Sequence, residues 1–225
     1  MPYSNNLRSW FASIPTVTRN LLIINVIMFI ATLLNEDFMV GTFAMFYPAS
    51  PFFRWWQPVT HMFMHGGFWH IFFNMYTLLM FGMVVERVLG TRKFLLFYFV
   101  TGLGAVALHT GTEWLEAQRY LAGGSAAAQI AYTNLLRTPM LGASGAIYGV
   151  LIAFAMLYPE STMTLIFPPV TLKAKWWVAI FVVIELVTGI TGTRLGIAHF
   201  AHLGGMLFGF LLILYWRKTG KLWRR

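Results

Sequence analysis

Six apolar runs recur along the 225-residue chain, and charged residues separate them. The runs lie at 20–34, 68–86, 94–110, 144–158, 176–192 and 199–216. They approach the length of about 20 residues that a helix needs to cross the hydrocarbon core of a bilayer. Only 10% of the residues are charged, whereas soluble domains carry about 25%. We therefore predict an all-α, polytopic membrane protein with six transmembrane helices, and a soluble globular fold is excluded.

The distribution of basic residues predicts the orientation in the membrane, because cytoplasmic loops carry an excess of Lys and Arg. Twelve of the sixteen basic residues fall on the side of the amino terminus. The other four are Arg54, Arg119, Arg137 and Arg194. We predict a cytoplasmic segment at 1–19, a six-helix domain at 20–217 and a basic cytoplasmic tail at 218–225. Since this orientation accounts for the net charge of +9, no nucleic acid is predicted as a partner.

Two segments on the outer side are too long to be simple connections. The first, at 35–67, is crowded with Phe, Trp, Tyr and Pro, a density typical of the lipid headgroup region. It is predicted to be a membrane-interfacial first loop. The second, at 111–143, contains Gly123, Gly124 and a run of small residues, and it is predicted to be a mobile outer loop.

Polar residues interrupt the apolar runs near their outer ends, where a bilayer penalises them. They are His61, His65, His70, Asn74, Ser144, His199 and His202. Two runs that carry them also contain glycines four residues apart, namely Gly145 with Gly149 and Gly205 with Gly209. Helix faces without side chains let two backbones approach closely. Such an approach would let a short serine side chain reach a histidine on another helix, as a nucleophile and its base require.

The residues alone predict a serine nucleophile with a histidine base, but they do not decide which histidine is the base. Both His199 and His202 lie at the start of the last run. Tyr148 follows Ser144 by one turn and would pack against the imidazole of the base. Apart from Glu86 at the end of the second run, Glu185 is the only acid inside a span, and it is predicted to lie too deep to orient that imidazole. The sequence therefore predicts a serine-histidine dyad, with the Tyr148 ring in place of an orienting acid.

An oxyanion site is predicted on the second span. His70 and Asn74 are four residues apart and share one helix face. If the second and fourth helices are neighbours, these two side chains and the backbone N–H of Ser144 could converge on the oxyanion of a tetrahedral intermediate.

Several other chemistries are excluded or disfavoured by the same residues. The chain has no cysteine, no His-Glu-x-x-His and a single aspartate, Asp37, which excludes thiol, zinc-metalloprotease and aspartyl-dyad mechanisms. A carrier with a transition-metal site would use His61, His65, His70, His199 and His202. Carboxylate ligands are expected to be lacking at that depth, so no metal or cofactor is predicted. A catalytically silent binder or chaperone that holds membrane proteins in the same groove stays an alternative.

Four stretches carry these polar residues, and they closely resemble motifs of the rhomboid family of intramembrane serine proteases. The stretches are His65-Gly-Gly-Phe-Trp-His70-Ile-Phe-Phe-Asn74-Met, Glu86-Arg-Val-Leu-Gly90, Gly142-Ala-Ser144-Gly-Ala-Ile-Tyr148-Gly and Ala201-His202-Leu-Gly-Gly205. With their spacing they cover roughly residues 20–217. Trp56-Gln-Pro-Val-Thr-His61 is also similar to the end of the family's first loop, although Gln57 stands where many members have Arg.

The resemblance implies a six-helix bundle whose short fourth helix starts at Ser144, below the outer surface in a water-filled cavity. It also implies that Ser144 is the nucleophile and that His202, not His199, is the base. His70 and Asn74 would serve the oxyanion. The supporting residues would be Tyr148, Gly142, Gly145 and Gly205. Inactive family members lack the serine or the histidine, and this sequence keeps both.

The resemblance further implies a function and a location. The expected activity is hydrolysis of single-pass transmembrane proteins near their outer ends, within the lipid bilayer. We expect a multi-pass protein of the cell membrane. A bacterial cytoplasmic membrane is the default, because no transit peptide and no appended seventh span are visible in the sequence.

Overall fold

The computed structural model describes residues 4–164, 169–191 and 198–222, with side chains from residue 8 onward. Its α-helices are α1 (Ser4–Ser13), α2 (Thr16–Leu34), α3 (Glu36–Phe43), α4 (Gln57–Thr60), α5 (Phe68–Thr77), α6 (Met83–Leu89), α7 (Thr91–Gly123), α8 (Ala126–Arg137), α9 (Ser144–Leu157), α10 (Ala174–Thr191) and α11 (His199–Lys218). A 3-10 turn at His61–Phe63 follows α4, and a π-helical turn at Leu78–Gly82 joins α5 to α6. Strands β1 (Thr162–Thr164) and β2 (Thr171–Lys173) pair antiparallel. Three of the basic residues used to predict orientation, Arg194, Arg224 and Arg225, lie outside the described residues.

Membrane-spanning length is reached at five of the six predicted runs. Within the described residues, α2, the continuous α5 to α6 segment, α7, α10 and α11 are long and apolar enough to cross a bilayer. The remaining run forms α9, which has 14 residues. At 1.5 Å per residue it is about 21 Å long, which is less than the hydrocarbon core of about 30 Å. The polytopic helical fold is confirmed, and the fourth run is a short helix.

The short helix α9 lies at the centre of the bundle. It packs against α7, α10 and α11, and most of its side chains are buried. Because α9 is surrounded by protein, its first residue can be held below the outer ends of the longer helices that enclose it. This placement matters because that first residue is Ser144.

Glycines bring α9 and α11 into backbone contact, as the sequence predicts. A Cβ atom added at Gly205 would lie 1.8 Å from the carbonyl oxygen of Gly145. One turn further along, a Cβ at Gly209 would lie 3.1 Å from the Cα of Gly149. Real side chains do not tolerate the first of these distances, so glycine is required where these two backbones touch.

The prediction of a mobile outer loop at 111–143 is wrong. Helix α7 continues without a break to Gly123, and α8 follows after a tight turn. Gly124 adopts a left-handed φ of 61° that ends α7, and the side chain of Ser125 accepts a hydrogen bond from the N–H of Ala128 to start α8. The two glycines thus form a helix-helix junction, and the Ala, Leu, Glu and Gln residues around them favour helix on both sides.

The first outer loop is ordered by one buried amide side chain. Gln57 is fully buried, and its Oε1 accepts from the backbone N–H of Arg54 at 3.0 Å, while its Nε2 donates to the carbonyl of Phe52 at 3.0 Å. The loop is also fixed to the segment that precedes α9, because Met45 and Met140 form a β-bridge. Gln57 therefore stabilises the loop through backbone contacts.

Glu86 ties the second span to the first. It is buried, and its carboxylate accepts hydrogen bonds from the backbone N–H groups of Val17 and Thr18 and from the Thr18 hydroxyl, at 2.7 to 2.9 Å. These N–H groups belong to the first turn of α2, which has no partner for them within the helix. The negative charge also faces the positive end of the helix dipole, so Glu86 caps α2 from a distance in sequence.

Candidate active site

Two side chains meet where two helices of the bundle begin. Ser144 is the first residue of α9 and His202 lies in the first turn of α11. Ser144 Oγ and His202 Nε2 are 2.8 Å apart, a hydrogen-bond distance. The structure thus brings together the serine and one of the two histidines that the sequence left as alternatives. The contact is the geometry that a nucleophile and its base need.

Tyr148 lies beside this pair. Its ring stacks on the imidazole of His202, with the ring centroids 4.2 Å apart and the planes inclined by 12°. Tyr148 is one turn after Ser144 on α9, so a single helix supplies both the hydroxyl and the ring that restrains the histidine. The stacking predicted from the sequence is present.

The prediction that no carboxylate reaches the histidine is wrong. Glu185 on α10 is buried, and its Oε1 lies 2.9 Å from His202 Nδ1. Glu185 precedes the end of α10 at Thr191 by six residues, or about 9 Å. His202 lies in the first turn of α11, and its contact with Oε1 places a carboxylate from well inside α10 at the level of the imidazole. The position of Glu185 along its own helix does not define its depth relative to Ser144 and His202.

His199, the other candidate base, has a different set of partners. Its Nδ1 lies 2.6 Å from Glu185 Oε2 and 3.1 Å from the Thr188 hydroxyl. Its Nε2 is buried and, within the described part of the chain, has no hydrogen-bond partner. His199 therefore contacts the carboxylate that also contacts His202, and it does not take the position next to Ser144.

The two predicted oxyanion residues lie on α5, and both line the cavity at Ser144. Asn74 is buried, and its Nδ2 has no hydrogen-bond partner among the described residues. A buried donor without an acceptor is costly, and an oxyanion at Ser144 could supply the missing acceptor.

His70 presents its Nε2 to the residues before α9. A Cβ atom added at Gly142 would lie 2.9 Å from His70 Nε2 and 3.6 Å from Ser144 Oγ. Gly142 has a φ of +131°, a conformation that side chains rarely adopt, so both space and backbone require glycine here. The N–H of Gly66 points to His70 Nδ1 at 3.4 Å. Since Nδ1 accepts, neutral His70 carries its proton on Nε2, which makes that atom a donor.

A cavity of about 1230 Å³ opens above the serine. Its lining includes His70, Asn74, Ser144, Tyr148 and His202, together with residues of α7 and α8. The two helices that replace the predicted loop therefore form part of its wall. A cavity of this volume admits water and an extended peptide segment, which are the two reactants of a hydrolase.

Of the five histidines considered for a metal site, His61 and His65 lie in the segment that precedes α5. Burial lowers the pKa of His61 to about 4 and that of His65 to about 3, so both are neutral at pH 7. The ring of His65 packs edge-on against His70 at 5.0 Å, and the carbonyl of His61 accepts from the N–H of Gly142 at 3.0 Å. The structure therefore does not bring all five histidines to one point.

A metal site is not formed by any group of three or more His, Cys, Asp or Glu side chains in the described ranges. The reason given from the sequence, a lack of carboxylates at this depth, is nevertheless incorrect, because Glu185 is there.

Comparisons with known proteins identify the family of the chain. The family model described as the Rhomboid domain matches residues 53–219, which is 167 of the 225 residues. RHOMBOID-like protein 12, mitochondrial, of Arabidopsis thaliana is 31% identical over 76% of this chain and 49% of its own length. Rhomboid protease AarA of Providencia stuartii is 26% identical over 70% of this chain and 54% of its own length. Putative rhomboid protease YdcA of Bacillus subtilis is 27% identical over 71% of this chain and 66% of its own length.

The chain spans about half the length of the first curated relatives it matches, and the matched part contains the bundle from the end of the first loop to α11. This part includes Ser144, His202, His70 and Asn74. With the family domain across most of its length and a polytopic helical fold around these residues, the chain belongs to the rhomboid family.

Proposed function

We propose that this chain is an intramembrane serine endopeptidase in which Ser144 is the nucleophile and His202 the general base. Family membership supports an intramembrane protease function in general. The observation that carries the specific proposal is the distance of 2.8 Å between Ser144 Oγ and His202 Nε2 at the floor of a cavity. A serine that only packs within a membrane helix does not need a histidine partner. A serine that acts as the nucleophile in acyl transfer does need one as its base.

The reaction would follow the course of other serine hydrolases. Ser144 Oγ attacks the scissile carbonyl carbon while its proton moves to His202 Nε2. The imidazolium then gives this proton to the leaving amine, and an acyl-enzyme ester remains on Ser144. A water molecule from the cavity, deprotonated by His202, hydrolyses the ester and restores the hydroxyl. The stacked ring of Tyr148 keeps the imidazole in one orientation through both steps.

Asn74 and His70 would stabilise the tetrahedral intermediate. The unpaired Nδ2 of Asn74 and the Nε2–H of His70 are both donors, and both side chains line the cavity at Ser144. Donors fixed in advance cost no reorganisation when the oxyanion develops, and one of them is typically worth about 10²-fold to 10³-fold in rate.

The substrates would be single-pass transmembrane proteins that approach within the lipid bilayer. A carbonyl inside an intact helix is hydrogen-bonded and shielded, so the cleaved segment must unwind to reach Ser144. Cleavage is therefore expected close to the outer end of the substrate helix, where the cavity opens and small or helix-breaking residues make unwinding inexpensive.

A fluorophosphonate probe tests this function against the alternative of a silent binder. The probe phosphonylates an activated serine, so we expect covalent modification of the purified protein at Ser144, identified by mass spectrometry. A His202→Ala variant should lose this labelling because the serine is no longer activated. Capture of a transmembrane substrate by the wild-type chain without any labelling would favour the binder and contradict the proposed activity.

We also propose that both termini are cytoplasmic, so that the cavity opens on the outer side of a bacterial cytoplasmic membrane. The relatives named above include mitochondrial and bacterial proteins, and the excess of basic residues supports this orientation. Because the chain has no cysteine, single substitutions report position without background. A membrane-impermeant maleimide should label Gln129→Cys in intact cells, and Lys218→Cys only after permeabilisation. The reverse pattern would overturn the orientation.

A further inference from the structure

One carboxylate inside the bundle contacts two imidazoles. Glu185 on α10 is 5% exposed. Its Oε1 lies 2.9 Å from His202 Nδ1, and its Oε2 lies 2.6 Å from His199 Nδ1. A buried carboxylate is costly unless hydrogen bonds satisfy it, and here each oxygen has its own ring nitrogen. The mechanism above, in which Ser144 and His202 carry out the proton transfers, leaves this contact without a role.

We propose that Glu185 is a positioning residue for His202, so that this rhomboid works with a serine-histidine-glutamate triad and not with a dyad. The inference rests on the proposed serine hydrolysis. Its geometric basis is that Ser144 Oγ and Glu185 Oε1 lie at opposite nitrogens of one imidazole, at 2.8 and 2.9 Å. A serine base held by a carboxylate in this way is the arrangement of other hydrolase triads.

The first consequence concerns the tautomer of His202. An ionised carboxylate can only accept hydrogen bonds, so the contact with Oε1 keeps a proton on Nδ1. The other nitrogen, Nε2, is then free of a proton and accepts the one from Ser144. Stacking on Tyr148 restrains the plane of the ring but cannot choose between its two tautomers. Glu185 therefore selects the tautomer of His202, which the tyrosine ring cannot do.

The second consequence concerns charge. When Ser144 attacks, its proton moves to Nε2 and His202 becomes an imidazolium, while Glu185 stays ionised and takes up no proton. A negative charge next to Nδ1 stabilises this cation, because both side chains are buried and the attraction between buried charges is strong. The other titratable side chains around His202 and its carboxylate are His70 on α5, His109 on α7, Tyr148 on α9 and His199 on α11. These are three imidazoles and one phenol, so Glu185 is the carboxylate that supplies the negative charge.

His199 has a supporting part in this arrangement. By donating its Nδ1–H to Oε2, it satisfies the carboxylate oxygen that does not face His202. Both histidines are on the first turn of α11, three residues apart, while the carboxylate is on α10. The pair of contacts therefore fixes the rotamer of Glu185 and joins these two helices at the level of the serine.

The test compares Glu185→Gln with the wild-type protein on a single-span test substrate in detergent. The amide is isosteric but uncharged, and it can donate to Nδ1 and so favour the wrong tautomer. We expect kcat to fall by about 10²-fold to 10⁴-fold with little change in KM. The acid limb of the pH profile of kcat/KM should move to lower pH, because the imidazolium loses its counter-charge. A Glu185→Asp variant should recover part of kcat and return the acid limb toward its wild-type position.

Controls separate this positioning role from a merely structural one. Glu160→Gln makes the same chemical change at an exposed carboxylate paired with Lys173 and Lys175, and it should leave kcat and the pH profile unchanged. His199→Gln should cost less kcat than Glu185→Gln, because Glu185 keeps its contact with His202. Equal kcat and an unmoved acid limb in a folded Glu185→Gln variant would overturn the inference and leave a dyad.

A measurement on the wild-type protein keeps the inference testable even if Glu185→Gln does not fold. In protein with ¹⁵N-labelled histidine, above the acid limb, the resonances of His202 should show a protonated Nδ1 and an unprotonated Nε2. A proton on Nε2 would overturn the role of Glu185 while leaving substrate cleavage intact. Absence of both cleavage and fluorophosphonate labelling in the wild-type protein would instead contradict the proposed function.

Discussion

Replacing Ser144 by alanine should reduce cleavage of a single-span transmembrane substrate by roughly 10⁴-fold or more. The substitution removes one oxygen atom, the one that lies 2.8 Å from His202 Nε2. The remaining oxyanion donors and binding surface cannot form an acyl-enzyme, so only slow direct attack by water would be left. Release of the cleaved fragment from purified protein in detergent is the measurement, with rates taken over hours for the variant.

The matched control is Ser13→Ala, which removes an exposed hydroxyl that bonds to the carbonyl of Trp10, far from the cavity. This variant should cleave at the wild-type rate. Ser144→Ala should keep its thermal stability, because the lost hydroxyl lies in a solvent-accessible cavity, and it should still capture the substrate. Continued cleavage by well-folded Ser144→Ala would mean that another residue is the nucleophile.

The sequence was sufficient to predict the apolar helices and the approach of Ser144 to a histidine of the last run, while the choice between His199 and His202 came from the family resemblance. Apolar length and charge placement mark the spans, because a bilayer imposes a fixed thickness on whatever crosses it. The glycines at positions 145 and 205 also predicted a backbone contact correctly, since a helix face without side chains has few other uses in a membrane protein. Each of these signals is local and needs no knowledge of the tertiary fold.

The two errors have one physical origin, which is that neither depth nor rigidity can be inferred from a single segment. The distance of Glu185 from the end of its own helix predicts a deep position, but His202 and Ser144 lie at the same level as this carboxylate because α9 and α11 begin there. Gly123 and Gly124 predict flexibility in the segment at 111–143, whereas in the structure they end one helix before the next begins. Correct predictions for Glu185 and for the segment at 111–143 would have required the positions of neighbouring helices relative to one another.

A single added methyl group at Gly205 should have the largest effect on the fold. In Gly205→Ala the new carbon would lie 1.8 Å from the carbonyl oxygen of Gly145, and the obstacle is backbone that cannot rotate away. Helices α9 and α11 must therefore separate, at a cost of about 3 kcal/mol, which corresponds to a decrease in Tm of roughly 6 to 12 °C. The same separation pulls Ser144 away from His202, and a displacement of about 1 Å costs about 10²-fold in rate.

Thermal unfolding in detergent and cleavage of the test substrate measure the two effects together. Gly111→Ala is the matched control, because it adds the same methyl group in the middle of α7, where nothing lies within 4 Å. Alanine is the better helix former by about 1 kcal/mol, so this variant should keep its activity and have an equal or slightly higher Tm. If Gly205→Ala matched Gly111→Ala in both measurements, the close contact of α9 and α11 could not be what holds the serine against its base.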